Sequence, residues 1–175
     1  MEHCSSAVCD FIRFLFMAVQ STRSSNGIWA ITSYYNPMRY EARLANYKIF
    51  HEHLDVPLLT VEQGHQGEYQ LDESDATKLI QVSSGAVLWQ KERLLNLALE
   101  ALPSDCTKVA WLDCDIIFER KDWQELAIDT LSRARLVQLF DHAYYLNRNL
   151  DLNRPLEDQY FIKRQSRASR MGDIQ

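Results

Sequence analysis

Val109-Ala110-Trp111-Leu112-Asp113-Cys114-Asp115-Ile116-Ile117-Phe118-Glu119 is the stretch that decides how this chain folds. Its first four residues are apolar, with Pro103 upstream and charge downstream, which is the pattern of a buried strand in a mostly parallel sheet. Asp113 and Asp115 follow, one residue apart. In an extended chain residues i and i+2 share a face, so this spacing predicts two carboxylates side by side at a strand end. Two such acids repel each other and resist desolvation, so the pair predicts a cation between them. Open α/β sheets bind ligands at the carboxyl ends of their strands, and carboxylates suit hard cations. The expected metal is Mn²⁺ or Mg²⁺, held by Asp115 and Asp113.

Outward from that stretch the pattern alternates. Strands are expected over 28–33, 56–61, 77–82, 109–112 and 135–140, and helices over 39–53, 87–102 and 122–133. Ala42, Ala45, Ile49 and His53 or Leu54 give the first helix its apolar spacing. Leu88, Leu95, Ala98, Leu99 and Leu102 give the second, and Trp123, Leu126, Ala127 and Leu131 the third. Pro103 ends the second helix, and Pro37 turns the chain after the first strand. Residues 63–76 are polar with two glycines and read as a loop. Alternation of this kind predicts an α/β fold, a mostly parallel sheet with helices on both faces. Such a sheet gathers its loops along one edge, where Thr32–Asn36, Glu62, Asp113/Asp115 and Asp141-His142 all fall.

The expected organisation is an extension and linker over 1–26, an α/β domain over 27–146 and a polar tail over 147–175. Within the extension, 11–19 is apolar apart from Arg13, too short to span a bilayer and lacking the basic start of a secretory signal. It reads as an amphipathic helix, the one segment suited to a membrane surface on an otherwise cytoplasmic protein. Residues 158–175 are charged and poorly patterned, a frayed helix or disorder.

A length of 175 residues allows one domain with a sizeable core, and 46% hydrophobic with 25% charged residues is ordinary for a globular protein. The formal charge of −5 argues against a nucleic-acid binder, which needs basic surface to neutralise phosphates. Cys4, Cys9, Cys106 and Cys114 form no Cys-x-x-Cys pair and read as reduced thiols.

Residues 28–36, Glu62 at the end of the second strand, a helix bearing Lys91, Arg93 and Asn96, and then Trp-Leu-Asp-Cys-Asp together resemble the donor-binding half of a GT-A-fold, family 2-like glycosyltransferase. The resemblance covers roughly Gly27 to His142. It implies a Rossmann-like domain that binds a nucleotide-diphospho-sugar donor and transfers the sugar to an acceptor, here unknown. It implies Asp115 as the direct metal ligand, with Asp113 reaching ribose, sugar or metal-bound water. Thr32, Ser33 and Tyr34 would line the nucleotide pocket, Glu62 would sit near base or ribose, and Lys91 and Arg93 would approach the donor. A metal held by two acids would stabilise the charge gained by the departing diphosphate.

The chain departs from that family after His142, where the acceptor-binding half is short or missing. No catalytic base can be assigned; Glu157 and Asp158 are the nearby acids. Two alternatives stand beside sugar transfer. One is a truncated, non-catalytic remnant that binds at most a nucleotide. The other is a phosphatase of the haloacid dehalogenase type, whose Asp-x-Asp ends the first strand and has Thr or Val two residues on. Here three strands precede the motif and Ile117 holds that position.

Overall fold

Ile28–Tyr35 (β2) runs through the middle of the fold because its side chains are apolar on both faces. Ala30, Thr32 and Tyr34 point one way and Ile31 the other, and all four are buried. The computed structural model describes residues 15–18, 27–83, 90–146 and 160–166. The described chain forms two compact units, one within Arg13–Leu139 and one within Phe140–Gln175.

In the first unit, β2 pairs in parallel with Leu58–Gln63 (β3) on one side and Lys108–Trp111 (β5) on the other. Lys78–Val82 (β4) continues the parallel set beyond β3. Leu15–Ala18 (β1) lies antiparallel against β5, and Leu136–Val137 (β6) antiparallel against β1. The strand order is therefore β4-β3-β2-β5-β1-β6, with a parallel centre of four. β3 starts at Leu58, later than the apolar run suggests. Pro57 has no N–H for the ladder, although its carbonyl accepts from Ala30 N at 2.9 Å.

Glu41–Glu52 (α1) and Lys91–Glu100 (α2) cover opposite faces of this sheet. Leu94, Leu95 and Ala98 of α2 join Ile31, Leu59, Val61 and Val109 in one apolar cluster. The other face carries Tyr34 and Thr60, and α1 meets it through Tyr47. The Tyr47 hydroxyl lies 2.8 Å from Thr60 Oγ1 and donates to the Asp75 carbonyl at 2.7 Å. Its ring meets Tyr34 edge-on at 5.2 Å and Phe50 at 6.1 Å. Trp123–Leu131 (α3) buries Trp123, Ala127 and Leu131.

Several expectations need correction. The apolar face of α1 is Tyr47 and Phe50; Ala42 and Ala45 are exposed. Large aromatic surfaces outweigh the alanine periodicity. Leu126 of α3 is 45% exposed, on the solvent side of its helix. The helix expected over 11–19 is, at Leu15–Ala18, the strand β1, since a short apolar run serves either period and β5 offers it an open edge. The last strand of the sheet is two residues long, not six.

The C-terminal stretch also contains structure that the pattern hides. In the second unit His142–Leu146 (β7) pairs antiparallel with Tyr160–Gln165 (β8). Tyr144 meets Tyr160 edge-on at 4.9 Å, Lys163 lies over the Tyr144 ring, and Ser166 N donates to the Asp141 carbonyl at 2.7 Å. Ring and cation contacts across the ribbon replace the apolar alternation on which strand recognition rests. The start of the second expected helix, at 87–89, and the loop over 147–155 lie outside the described residues. Among the described residues no helix is long and apolar enough to cross a membrane.

Tyr47→Phe keeps the ring and deletes the hydroxyl that joins Thr60 to Asp75. It should destabilise the protein by about 1–2 kcal/mol, read as a lower urea midpoint at unchanged m-value.

Candidate functional site

The parallel strands reverse their order next to β2. From β2 the chain moves outward through β3 and β4, then returns across β2 to lay down β5 on its other side. The loops leaving the carboxyl ends of β2 and β5 therefore diverge, and in open parallel sheets such a switch point is where a ligand crevice is expected. The two loops concerned begin at residues 36–40 and 112–117.

Thr32 and Leu112 fix where the loop after β5 leaves the sheet. Leu112 N donates to the Ile31 carbonyl at 3.0 Å, and Thr32 Oγ1 donates to the Leu112 carbonyl at 2.8 Å. Beyond Leu112 the ladder ends, so Asp113 and Asp115 lie past the strand rather than on one face of it. The chain turns at Cys114-Asp115, which separates the environments of the two acids. Asp113 is buried and forms an ion pair with Lys91 Nζ, whose residue opens α2. Asp115 is exposed.

Charge is shared unevenly here. Burial holds the Lys91 ammonium below its ordinary range, although Cys114 and Asp115 work the other way. Surrounding protein raises the Asp115 carboxyl, while Arg43 and Lys91 pull it down. Burial, helped by Asp115, pushes the Cys114 thiol up to about 11, so it is a neutral core group at physiological pH. Arg43, an exposed residue of α1, thus joins Lys91 as a second cation acting on Asp115. No motif marks Arg43 in the sequence; only the return of α1 past the end of β2 brings it here.

The remaining expected residues are used inside the protein. Thr32 is fully buried in its bond to Leu112. Tyr34 is 1% exposed, and its hydroxyl donates to Gln70 Oε1 at 3.2 Å and accepts from Asn36 Nδ2 at 3.2 Å. Ser33 is half-buried. Glu62 is buried within β3. It accepts from Gln70 N at 2.6 Å, from Leu71 N at 3.3 Å and from Gln81 Nε2 at 2.9 Å. Its carboxylate holds the chain after β3 against the sheet. Arg93 turns to Gln90 Oε1 at 2.7 Å. Asn36, by contrast, organises the crevice: its amide bonds both the N–H and the carbonyl of Tyr40, pinning the start of α1. Asp141 and His142 belong to the second unit, where they pair with each other at 3.0 Å.

Among the described residues no three His, Cys, Asp or Glu side chains gather as a metal cluster. Asp113 and Asp115 offer a hard cation two carboxylates. Its other ligands would be phosphate oxygens and water, a set that Mg²⁺ accepts. Lys91 competes for Asp113, so cation binding there would release an ammonium toward the same crevice. Set against protein-family models, curated proteins and solved structures, the chain matches none.

Two substitutions test these roles. Glu62→Ala leaves two backbone N–H groups and the Gln81 amide without their acceptor. It should cost about 2–4 kcal/mol in chemical denaturation, with the loss seated in residues 64–72 by hydrogen exchange. Asp115 has the opposite sign. Its folded carboxyl titrates above its unfolded value near ~4, so its charge opposes folding at neutral pH and not below the unfolded value. Asp115→Asn should therefore raise the melting temperature at pH 7, with the gain fading as the pH falls toward the unfolded value and absent below about 4.

Proposed function

We propose that the first unit is the donor-binding domain of a metal-dependent glycosyltransferase. Its substrate would be a nucleoside-diphosphate sugar held in the crevice between the ends of β2 and β5. The observation that carries this reading is the ion pair of Asp113 with Lys91 at the point where strand order reverses, with Asp115 two residues on and Arg43 exerting its charge on it from α1. A site with acids alone would repel a diphosphate, and one with cations alone would need no metal. Both signs together suit a phosphate-bound divalent ion with direct contacts to the outer oxygens.

In this reading Asp115 and Asp113 hold Mn²⁺ or Mg²⁺. Bound there, the ion would supply Lewis-acid stabilisation of the departing diphosphate. Lys91, freed from Asp113, and Arg43 would bind phosphate oxygens. Thr32 would act through Leu112, keeping the acidic loop in place. Asn36 would act through Tyr40, placing the helix that carries Arg43. The acceptor and its catalytic base are not assigned to any residue.

A second reading keeps the donor and omits transfer, because the polar groups of Glu62, Thr32 and Tyr34 are committed to holding the fold. Calorimetric titration of the full chain with UDP and GDP, with and without Mn²⁺, tests what both readings share. Binding should require the metal, and Asp115→Ala should weaken it at least about tenfold. Arg43→Ala should weaken nucleotide binding and leave metal affinity alone. Metal-independent binding, or an Asp115→Ala variant that binds as the parent does, would refute the assignment. Release of free sugar from a bound donor separates transferase from remnant.

A further inference from the structure

A cleft lies at the carboxyl ends of β2 and β3. It measures about 260 Å³, and Asn36, Arg39, Gln63, Gln66, Glu68 and Gln70 are among the residues that line it. Three features concentrate there. Gln63 is 4% exposed, and among the described residues no donor reaches its Oε1. A buried acceptor left unmade costs about 1–3 kcal/mol, so a fold keeps one where something else donates to it. Arg39 and Gln66, with φ of 51° and 53°, are the non-glycine residues with positive φ among those described, and both line this cleft. Such backbone is unfavourable and gathers at ligand sites.

The third feature is a closure. Gln66 and Gly67, both at positive φ, turn a two-residue hairpin bridged between His65 and Glu68. Across the mouth, Arg39 forms an ion pair with Glu68, and both side chains are mostly exposed. An exposed pair of this kind contributes about 0–1 kcal/mol and weakens with salt, so it can open readily.

The chemistry of the lining selects among ligands. Its arginine already faces Glu68, and the Glu62 carboxylate is saturated by amides of the protein. A phosphate would find no unpaired arginine or lysine among the lining residues. What the cleft presents is the uncharged amides of Gln63 and Gln66, those of Asn36 and Gln70 with part of their capacity bonded to Tyr34 and Tyr40, the imidazole of His65 and the apolar ring of Pro37. Amides that bond hydroxyls beside an apolar surface for ring carbons are what a sugar requires. We propose that this cleft binds an uncharged sugar ring, with Gln63 Oε1 accepting from a ligand hydroxyl and Arg39–Glu68 acting as the latch. The inference rests on Gln63 and the latch, not on the metal-dependent crevice.

The test titrates the ¹⁵N-labelled full chain, without divalent metal, with glucose, galactose, mannose and N-acetylglucosamine, and separately with uracil and cytosine. At least one sugar should shift the Gln63 side-chain amide and the backbone amides of Gln66 and Gln70 saturably, with a dissociation constant of about 1 mM. Gln63→Leu should abolish the shift. Glu68→Gln breaks the latch and should remove the rise of association rate with salt that the parent shows. No response to any sugar up to about 50 mM, or a response to the free bases alone, overturns the proposal. Sugars without phosphate, in the absence of metal, report nothing on nucleotide binding, so either site can fail while the other stands.

Discussion

Both backbone polar groups of Leu112 are bonded to β2, one to the Ile31 carbonyl and one to the Thr32 hydroxyl. Everything at the crevice depends on that double attachment. β5 is four residues long and ends at Trp111, so without it the acidic loop would leave the sheet unsupported. Thr32 is fully buried, and its hydroxyl reaches one residue beyond the ladder to fix where Asp113 departs. That position brings Asp113 to Lys91 at the start of α2, which is itself held by Leu94, Leu95 and Ala98 against Ile31, Leu59 and Val61. The same strand that fills the core thus aims the charged loop.

The sequence was legible where periodicity and burial coincide. The apolar runs in β2, β3 and β5 are buried on both faces, so nothing competes with their reading as strands. The parallel order followed from alternation, and the crevice from the parallel order. Legibility failed where contact, not period, sets the structure. Ala42 and Ala45 have helical spacing but small side chains, and α1 turned its aromatics inward instead. Leu15–Ala18 carries no signal that separates a strand from a helix turn; its partner β5 decides. Tyr160–Gln165 is stabilised by rings and cations across a ribbon, which charge-rich composition disguises as a tail.

The candidate site divides in the same manner. Asp113 and Asp115 were legible as a pair because acids after an apolar strand are conspicuous. Their inequality was not, since it arises from a turn at Cys114 that buries one and exposes the other. Thr32, Tyr34 and Glu62 were legible as polar groups at strand ends. Sequence could not say that Leu112, Gln70 and Leu71 already engage them. Arg43 was invisible because its relevance depends on the path of α1 past β2, a tertiary fact with no local trace.

Glu62 explains why the acidic loop after β5 and the cleft over β3 differ in charge along this edge. Its carboxylate takes up the backbone of Gln70 and Leu71 and the amide of Gln81, drawing the chain after β3 down onto the sheet. A free carboxylate at that point would extend the acidic crevice toward β3 and repel a diphosphate from both sides. Saturated by neutral donors, it instead closes the floor beneath the His65–Glu68 hairpin and leaves amide groups to line the space above. The charged chemistry is thereby confined between β2 and β5, where Lys91 and Arg43 balance Asp113 and Asp115. The cleft over β3 stays close to neutral, with the Arg39–Glu68 pair at its mouth. One buried acid, bonded to backbone amides, separates the charged residues after β2 and β5 from a cleft lined mostly by uncharged groups.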